Sequence, residues 1–320
     1  MKYRSYYFLL ALSLILSPRA DATDRVRIHA PARTFFQLPL WIGMDKKIFE
    51  AHGLHIEPIV MATPIAIAAL SKGEVDFLTT GDSAGNAIMR GFKFKIILVY
   101  LSNNLFSLVV TPDIKRADDL KGKKIGVTSF GGNSFYSAQK ALTSLGLEVG
   151  RDVSIIQVGG GTARMLAMES RAIHGAPLAP PDTELVKEKF NAWPIVSNDS
   201  EIFSSEPSSV GLTTTESILQ TKPDIVRRMV QASLQSVRYV SDERNEEELV
   251  RLIQQSWKIS RATSLASLRA VRRQLHANGI LPNSGIDAVI RSQRNRYQIQ
   301  REIRADELFD FGVVRSLQVR

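Results

Sequence analysis

FFQLPLWIGMDKKIFEAHGLHIEPIVMATPIAIAALSKGEVDFLTTGDSAGNAIMRG, residues 35–91, is the stretch on which the fold turns. Short β-branched runs alternate in it with amphipathic runs. Residues 55–60 (HIEPIV) and 75–79 (VDFLT) read as strands, with Pro58 placing the first at an edge. Residues 41–49 and 65–70 carry helix spacing and stop near Gly53 and Gly73. Each strand-like run ends in a turn rich in threonine, glycine or aromatics. Such turns lie at the carboxyl ends of strands in an open α/β sheet, where ligands bind beside helix N-termini.

Outward from this stretch the same alternation continues. Residues 26–30 (VRIHA) form a strand before it, 84–89 a short helix stopped at Gly91, and 95–101 a fourth strand. An extended run over 105–111 leads into Pro112 and the charged, turn-rich DIKRADDLKGKK. A second α/β series then restarts. It comprises a strand at 124–127, a helix at 133–145 stopped by Gly146, a strand at 153–158, a helix at 162–168 and a loop at 176–181 (APLAPP). Residues 202–213 read as a return crossing. From Pro223, which suits the first turn of a helix, the pattern is almost entirely helical. Two similar series joined by two crossings predict two lobes, one of residues 23–110 plus 205–320 and one of residues 111–204.

The composition narrows the class. Lys2 and Arg4, an apolar run over 6–16 and the A-x-A site Ala20-Asp21-Ala22 have the layout of a secretory signal peptide cut after Ala22. The apolar run is short of the ~20 residues of a spanning helix, so the chain is expected to be exported. The chain has no cysteine, which excludes disulfides, thiol nucleophiles and a lipid-tethering cysteine. The net charge is +9, much of it in the C-terminal third at residues such as Arg269, Arg272, Arg273 and Arg291. These arginines spread along helical faces between glutamines, a solvated face rather than a nucleic-acid site. The five histidines are scattered, and His52 and His55 bracket a glycine turn without an ordered carboxylate. No metal and no cofactor are expected.

Gly81, Asp82, Ser83, Ala84 and Gly85 spell a literal G-x-S-x-G between a strand and a helix, the context of a nucleophile elbow. A secreted serine hydrolase using Ser83 is therefore the alternative function. It would need a later histidine, His174 or His276, and a donor loop that the preceding sequence does not contain. In a binding reading, Thr80, Gly81 and Ser83 offer donors at a helix start, and Asp82 caps that helix or accepts from a ligand. Ser129, Phe130, Gly131, Gly132, Asn133 and Ser134 follow a strand and open a helix, so their N–H groups are expected to face a cleft and favour an anion. The run lacks the lysine of a phosphate-cradling loop. Gly159, Gly160, Gly161 and Thr162 make a similar turn, with Arg164 where a dinucleotide fingerprint has its third glycine. Gly160 and Gly161 are kept as ligand candidates beside a plain turn capped by Thr162. Thr34, Phe35, Phe36 and Gln37 follow the first strand, and exposed aromatics there could sandwich a flat ligand while one phenylalanine packs in the core. Trp41 and Tyr136 are weaker candidates.

The chain resembles periplasmic solute-binding proteins of ABC importers, in the group that includes nitrate, taurine, aliphatic-sulfonate and thiamine-pyrimidine binding proteins. The resemblance rests on LPLWIGMDKKIFEAHGLHIE, then ALSKGEVDF, DDLKGKKIGVTSFGG and KALTSLGL, and on the later PDIVRRMVQASLQSVRYV, in that order. It covers about residues 26–308. It implies an α/β, two-lobed periplasmic-binding-protein fold of type II with a cleft between the lobes. It further implies a non-enzymatic monomer, located in the periplasm, that captures a small polar or anionic organic solute by hinge closure and hands it to an ABC permease and its ATPase subunits. Thiamine-precursor synthases resemble the same group, which makes a pyrimidine-modifying enzyme a third reading. One segment departs from the pattern. Where many relatives carry a second Gly-x-Val-Asp-Ala, this chain has His174 and Gly175 leading into prolines.

Overall fold

The computed structural model describes residues 23–204 and 207–318. The export signal expected over 1–22 lies outside the described residues. The described residues form ten strands: β1 (Asp24–Ala30), β2 (Leu54–Val60), β3 (Phe77–Thr80), β4 (Phe94–Asn103), β5 (Ser107–Val110), β6 (Lys124–Val127), β7 (Ser154–Gln157), β8 (Gly175–Leu178), β9 (Trp193–Val196) and β10 (Pro207–Thr215). They form two five-stranded sheets, ordered β2-β1-β3-β10-β4 and β7-β6-β8-β5-β9. In the first, β1 runs parallel to β2 and β3, and β10 enters antiparallel between β3 and β4. The chain passes between sheets twice, from β4 to β5 and from β9 to β10. Each sheet with its helices is one lobe of an α/β, two-lobed architecture.

The strand sequences account for their places. β3 (FLTT) is buried throughout, as an interior strand covered on both faces must be. β2 alternates between buried Leu54 and Ile56 and exposed His55, and lies at the sheet edge, where Pro58 is tolerated. Helices Leu38–Asp45 and Pro223–Ser241 pack on one face of the first sheet with Phe35, Phe49 and Val237 in their shared core. The helix Asn283–Tyr297 supplies Ile286 and Val289 to a core shared with helix Gly81–Met89. Among the described residues no helix is long and apolar enough to cross a membrane.

Three local expectations are corrected. The run over 41–49 is split into helices Leu38–Asp45 and Ile48–Ala51, because Lys47 adopts a left-handed φ of 55°. Gly81 begins its helix rather than preceding it, so the whole G-x-S-x-G lies on the Gly81–Met89 helix. Residues 176–178, read as loop, belong to β8, an interior strand of the second sheet. Its ladder with β6 reaches only Gly175, paired with Ile125, so that neighbour makes no demand on the missing N–H of Pro177.

His29, near the end of β1, is wholly buried, and its Nε2 donates to the carbonyl of Met61 at 3.1 Å. Burial lowers the imidazole from 6.5 to about 4, against a smaller opposing pull from that carbonyl. Between these values the unfolded chain binds a proton that the native chain does not. Stability present above pH 6.5 is therefore lost as the pH falls toward 4, by ~3 kcal/mol in all. Urea midpoints measured from pH 7.5 to 4.5 should fall in the wild type and fall less in His29→Gln, which keeps a donor for Met61. Equal slopes in the two proteins would refute this.

Candidate functional site

The carboxyl ends of β1 and β3 face the turn after β6 across a cavity of about 40 Å³. On this measure one water needs roughly 10–15 Å³, so the space suits a small solute. The first lobe contributes Thr34, Phe36 and Gln37 from the turn after β1, Thr80 from the end of β3, and Val210 from β10. The second contributes Ser129, Gly132, Asn133 and Ser134 around the start of helix Asn133–Ser144. Eight of the residues singled out in the sequence thus meet at one cavity.

The other eight do not line it. Phe35 is fully buried, edge-on to Trp257 with centroids 5.0 Å apart. Phe36 is buried as well, tilted against Phe106 at 4.8 Å, so neither ring is an exposed aromatic at a cleft mouth. Gly81 is packed so closely on β10 that a Cβ would meet the carbonyl of Ser209 at 2.2 Å. Phe130 is 49% exposed on the rim, and Gly131 beside it lies against Pro64 of the other lobe. Gly160 faces Ala32, also across the lobes, while Gly161 abuts the Asp182 carboxylate. Part of the donor set expected of residues 129–134 is spent internally, as is the neighbouring Thr128 N–H. The Thr128 N–H donates to Ser134 Oγ, that of Phe130 to Gln157 Oε1, and that of Gly132 to the Ser129 carbonyl.

Asp82 neither caps its helix nor lies open to a ligand. Its carboxylate accepts from Ser208 Oγ at 2.8 Å, Ser209 Oγ at 2.7 Å and Asn133 Nδ2 at 3.0 Å. The last bond joins the lobes. A second tie lies one turn along the same helix. There Tyr136 packs edge-on against Tyr297 with centroids 5.4 Å apart, and Arg296 lies 4.8 Å over the Tyr136 ring. Ser83 Oγ is buried without a hydrogen-bond partner. The two histidines considered as its base are engaged or placed elsewhere. His276 Nε2 contacts Ser102 Oγ, and the His174 carbonyl binds Thr111.

The residue that sequence reasoning missed is Arg164. It is 2% exposed and lines the cavity from helix Gly161–Glu169. Its Nη1 donates to the Pro177 carbonyl of β8. Its Nε has no partner, and Nη2 makes no hydrogen bond among the described residues. Burial lowers the guanidinium to about 10, against the raising influence of Asp182. It therefore stays charged at neutral pH. Burial also pushes the Asp182 carboxyl up to about 6, with Arg164 pulling it back. A buried cation with two free donors on one edge of its fork is a ready acceptor of a planar anion. A signal existed in the sequence. Residues 161, 164 and 168 share one helix face, and a basic residue interrupts that otherwise apolar face.

The Ser129 and Thr80 hydroxyls are also buried without partners, so the cavity holds unspent polar groups from both lobes. Among the described residues no group of three or more histidine, aspartate or glutamate side chains could hold a metal ion.

The NMT1-like family model matches residues 33–254. No curated protein matches the sequence. Among solved structures, a protein of Bordetella bronchiseptica RB50 is 17% identical with a TM-score of 0.78, over 92% of this chain and 97% of that one. The periplasmic nitrate-binding protein NrtA from Synechocystis PCC 6803 is 13% identical with a TM-score of 0.71, over 92% and 88%. The alkanesulfonate-binding protein SsuA from Xanthomonas axonopodis pv. citri, bound to MOPS, is 15% identical with a TM-score of 0.68, over 92% and 97%. At these identities the likeness establishes the fold, that of periplasmic binding proteins.

Proposed function

This chain belongs to the NMT1-like family, and from that premise we propose that it is the solute-binding component of an ABC importer, exported to the periplasm after cleavage near Ala22. It captures a small anionic solute between lobes formed by residues 23–110 plus 205–320 and by residues 111–204. It acts as a monomer, does no chemistry on the solute, and delivers it to a membrane permease served by ATPase subunits. The carrying observation is Arg164, a buried cation with unspent donors at a cavity walled by both lobes. Nitrate and alkanesulfonate binding by the two named neighbours is in keeping with an anion. The ligand would add contacts to both lobes only when they meet, and that differential affinity would shift the population toward closure. No observation favours the hydrolase, since Ser83 Oγ has no imidazole to activate it.

The test is a contrast between two variants in a melting assay against a panel of small anions, with native mass spectrometry to identify any co-purified solute. Ser83→Ala should keep the ligand-dependent melting shift, because stabilisation follows occupancy. Gly132→Asp should lose it. Even a Cβ at Gly132 would stand 3.0 Å from Ser129 Oγ, and the added carboxylate would repel an anion. Ester turnover abolished by Ser83→Ala, or a normal shift in Gly132→Asp, would overturn the proposal.

A further inference from the structure

We infer that the solute of this cavity is a short monocarboxylate, an inference that rests on the anion-binding reading above and narrows it. The first ground is the guanidinium. With Nη1 held by the Pro177 carbonyl, the donors left on Arg164 are Nε and Nη2. They share the side edge of the guanidinium and point two parallel N–H bonds at one planar, two-oxygen acceptor. The second ground is charge. Arg164 is the buried cation of the cavity, and the Asp182 carboxyl lies close enough for each to shift the other's titration. With the Asp182 carboxylate already offsetting part of that charge, the site would take no more than one negative charge; a dianion would enter with its second charge unpaired, at a large desolvation cost.

The third ground is size and lining. About 40 Å³ is room for roughly three waters, hence for a carboxylate on a chain of about two to four carbons. Phe36, Phe106 and Val210 provide an apolar wall for such a chain. Part of the polar wall is already committed, while the Thr80 and Ser129 hydroxyls are left unspent. Thr34 Oγ1 donates to Gln37 Oε1, Asn133 Nδ2 to Asp82, and Ser134 Oγ accepts from Thr128. A tetrahedral sulfonate would present a third oxygen that the fork does not reach and that only the Thr80 or Ser129 hydroxyl could take.

The experiment is calorimetric titration of the dialysed full-length mature protein with acetate, propionate and butyrate, beside hexanoate, methanesulfonate, nitrate and sulfate at fixed ionic strength. One of the three short acids should bind saturably and at least about tenfold more tightly than methanesulfonate or nitrate. Arg164→Lys, which keeps the charge and removes the fork, should weaken that acid by at least about tenfold while melting like the wild type. Tighter binding of methanesulfonate, nitrate, sulfate or hexanoate would overturn the carboxylate assignment and leave the anion-binding reading standing. Binding of none of the panel would overturn both. Unchanged carboxylate affinity in Arg164→Lys would overturn the role of the fork.

Discussion

Arg164→Met is expected to abolish solute binding at a modest cost to the stability of the empty protein. The two halves of this result have one cause. In the empty protein the guanidinium is buried with a single hydrogen bond, to the Pro177 carbonyl, and with Nε unpartnered. A charge held that way is a cost to the fold, but removing it also takes the cation from beside the buried Asp182 carboxyl, and losing one partner of a buried pair destabilises. In the complex the same nitrogens would pair with the solute. Losing a buried, charge-assisted fork costs on the order of 2–5 kcal/mol, or about 30- to 5,000-fold in Kd. Asp182, already pushed up to about 6 by burial against the pull of Arg164, would then hold its proton at higher pH. Thermal melts with and without solute separate the effects. A variant that melts normally and still shows the full ligand shift would remove Arg164 from the site.

Gly211→Ala is expected to prevent folding of the first lobe. Gly211 lies in β10, the strand that returns from the second lobe and inserts between β3 and β4. The ladder to β4 shifts register on either side of it, between Val210 and Gly211 and between Leu212 and Thr213. A Cβ there would lie 1.8 Å from the Leu98 carbonyl oxygen and 2.8 Å from Val99 Cα. Both obstacles are backbone atoms of the neighbouring strand β4, so no side chain can move aside. The two strands must part, with loss of ladder hydrogen bonds and of packing by Leu98 and Leu212. That places the change among the rare substitutions costing more than about 4 kcal/mol. Circular dichroism of the variant should show lost strand signal or no cooperative melt. A melting temperature within a few degrees of the wild type would disprove the argument.

Much of this architecture is written in short-range pattern. The edge place of β2 follows from Pro58 and its one-sided burial, and the all-buried interior of β3 from a run without exposed positions. The turns at 129–132 and 34–37 were legible as cleft walls because a strand, a turn and a helix in succession put that turn at the carboxyl edge of a sheet. Eight candidate residues lie at the cavity for that reason.

Where the reading failed, the deciding contact came from far along the chain. Asp82 is drawn away from its own helix by Ser208 and Ser209, more than a hundred residues later, and by Asn133 of the other lobe. Phe35 leaves the cleft because Trp257, on the helix Glu246–Trp257, waits behind it. The apparent nucleophile elbow is an ordinary helix turn, whose serine has no imidazole within hydrogen-bond reach.

By itself the amino-acid order determined that two strand–helix series would build two lobes and that turns at their strand ends would face one crevice. It did so because hydrophobic periodicity and turn chemistry act over a few residues. Which cation is buried there was decided only by the tertiary structure. Arg164 is unremarkable among its neighbours in sequence and becomes a binding group when β8 presents the Pro177 carbonyl and the opposite lobe closes off water. Burial is a property of pairs of segments brought together, and it is burial that makes a charge available to a solute rather than to the solvent.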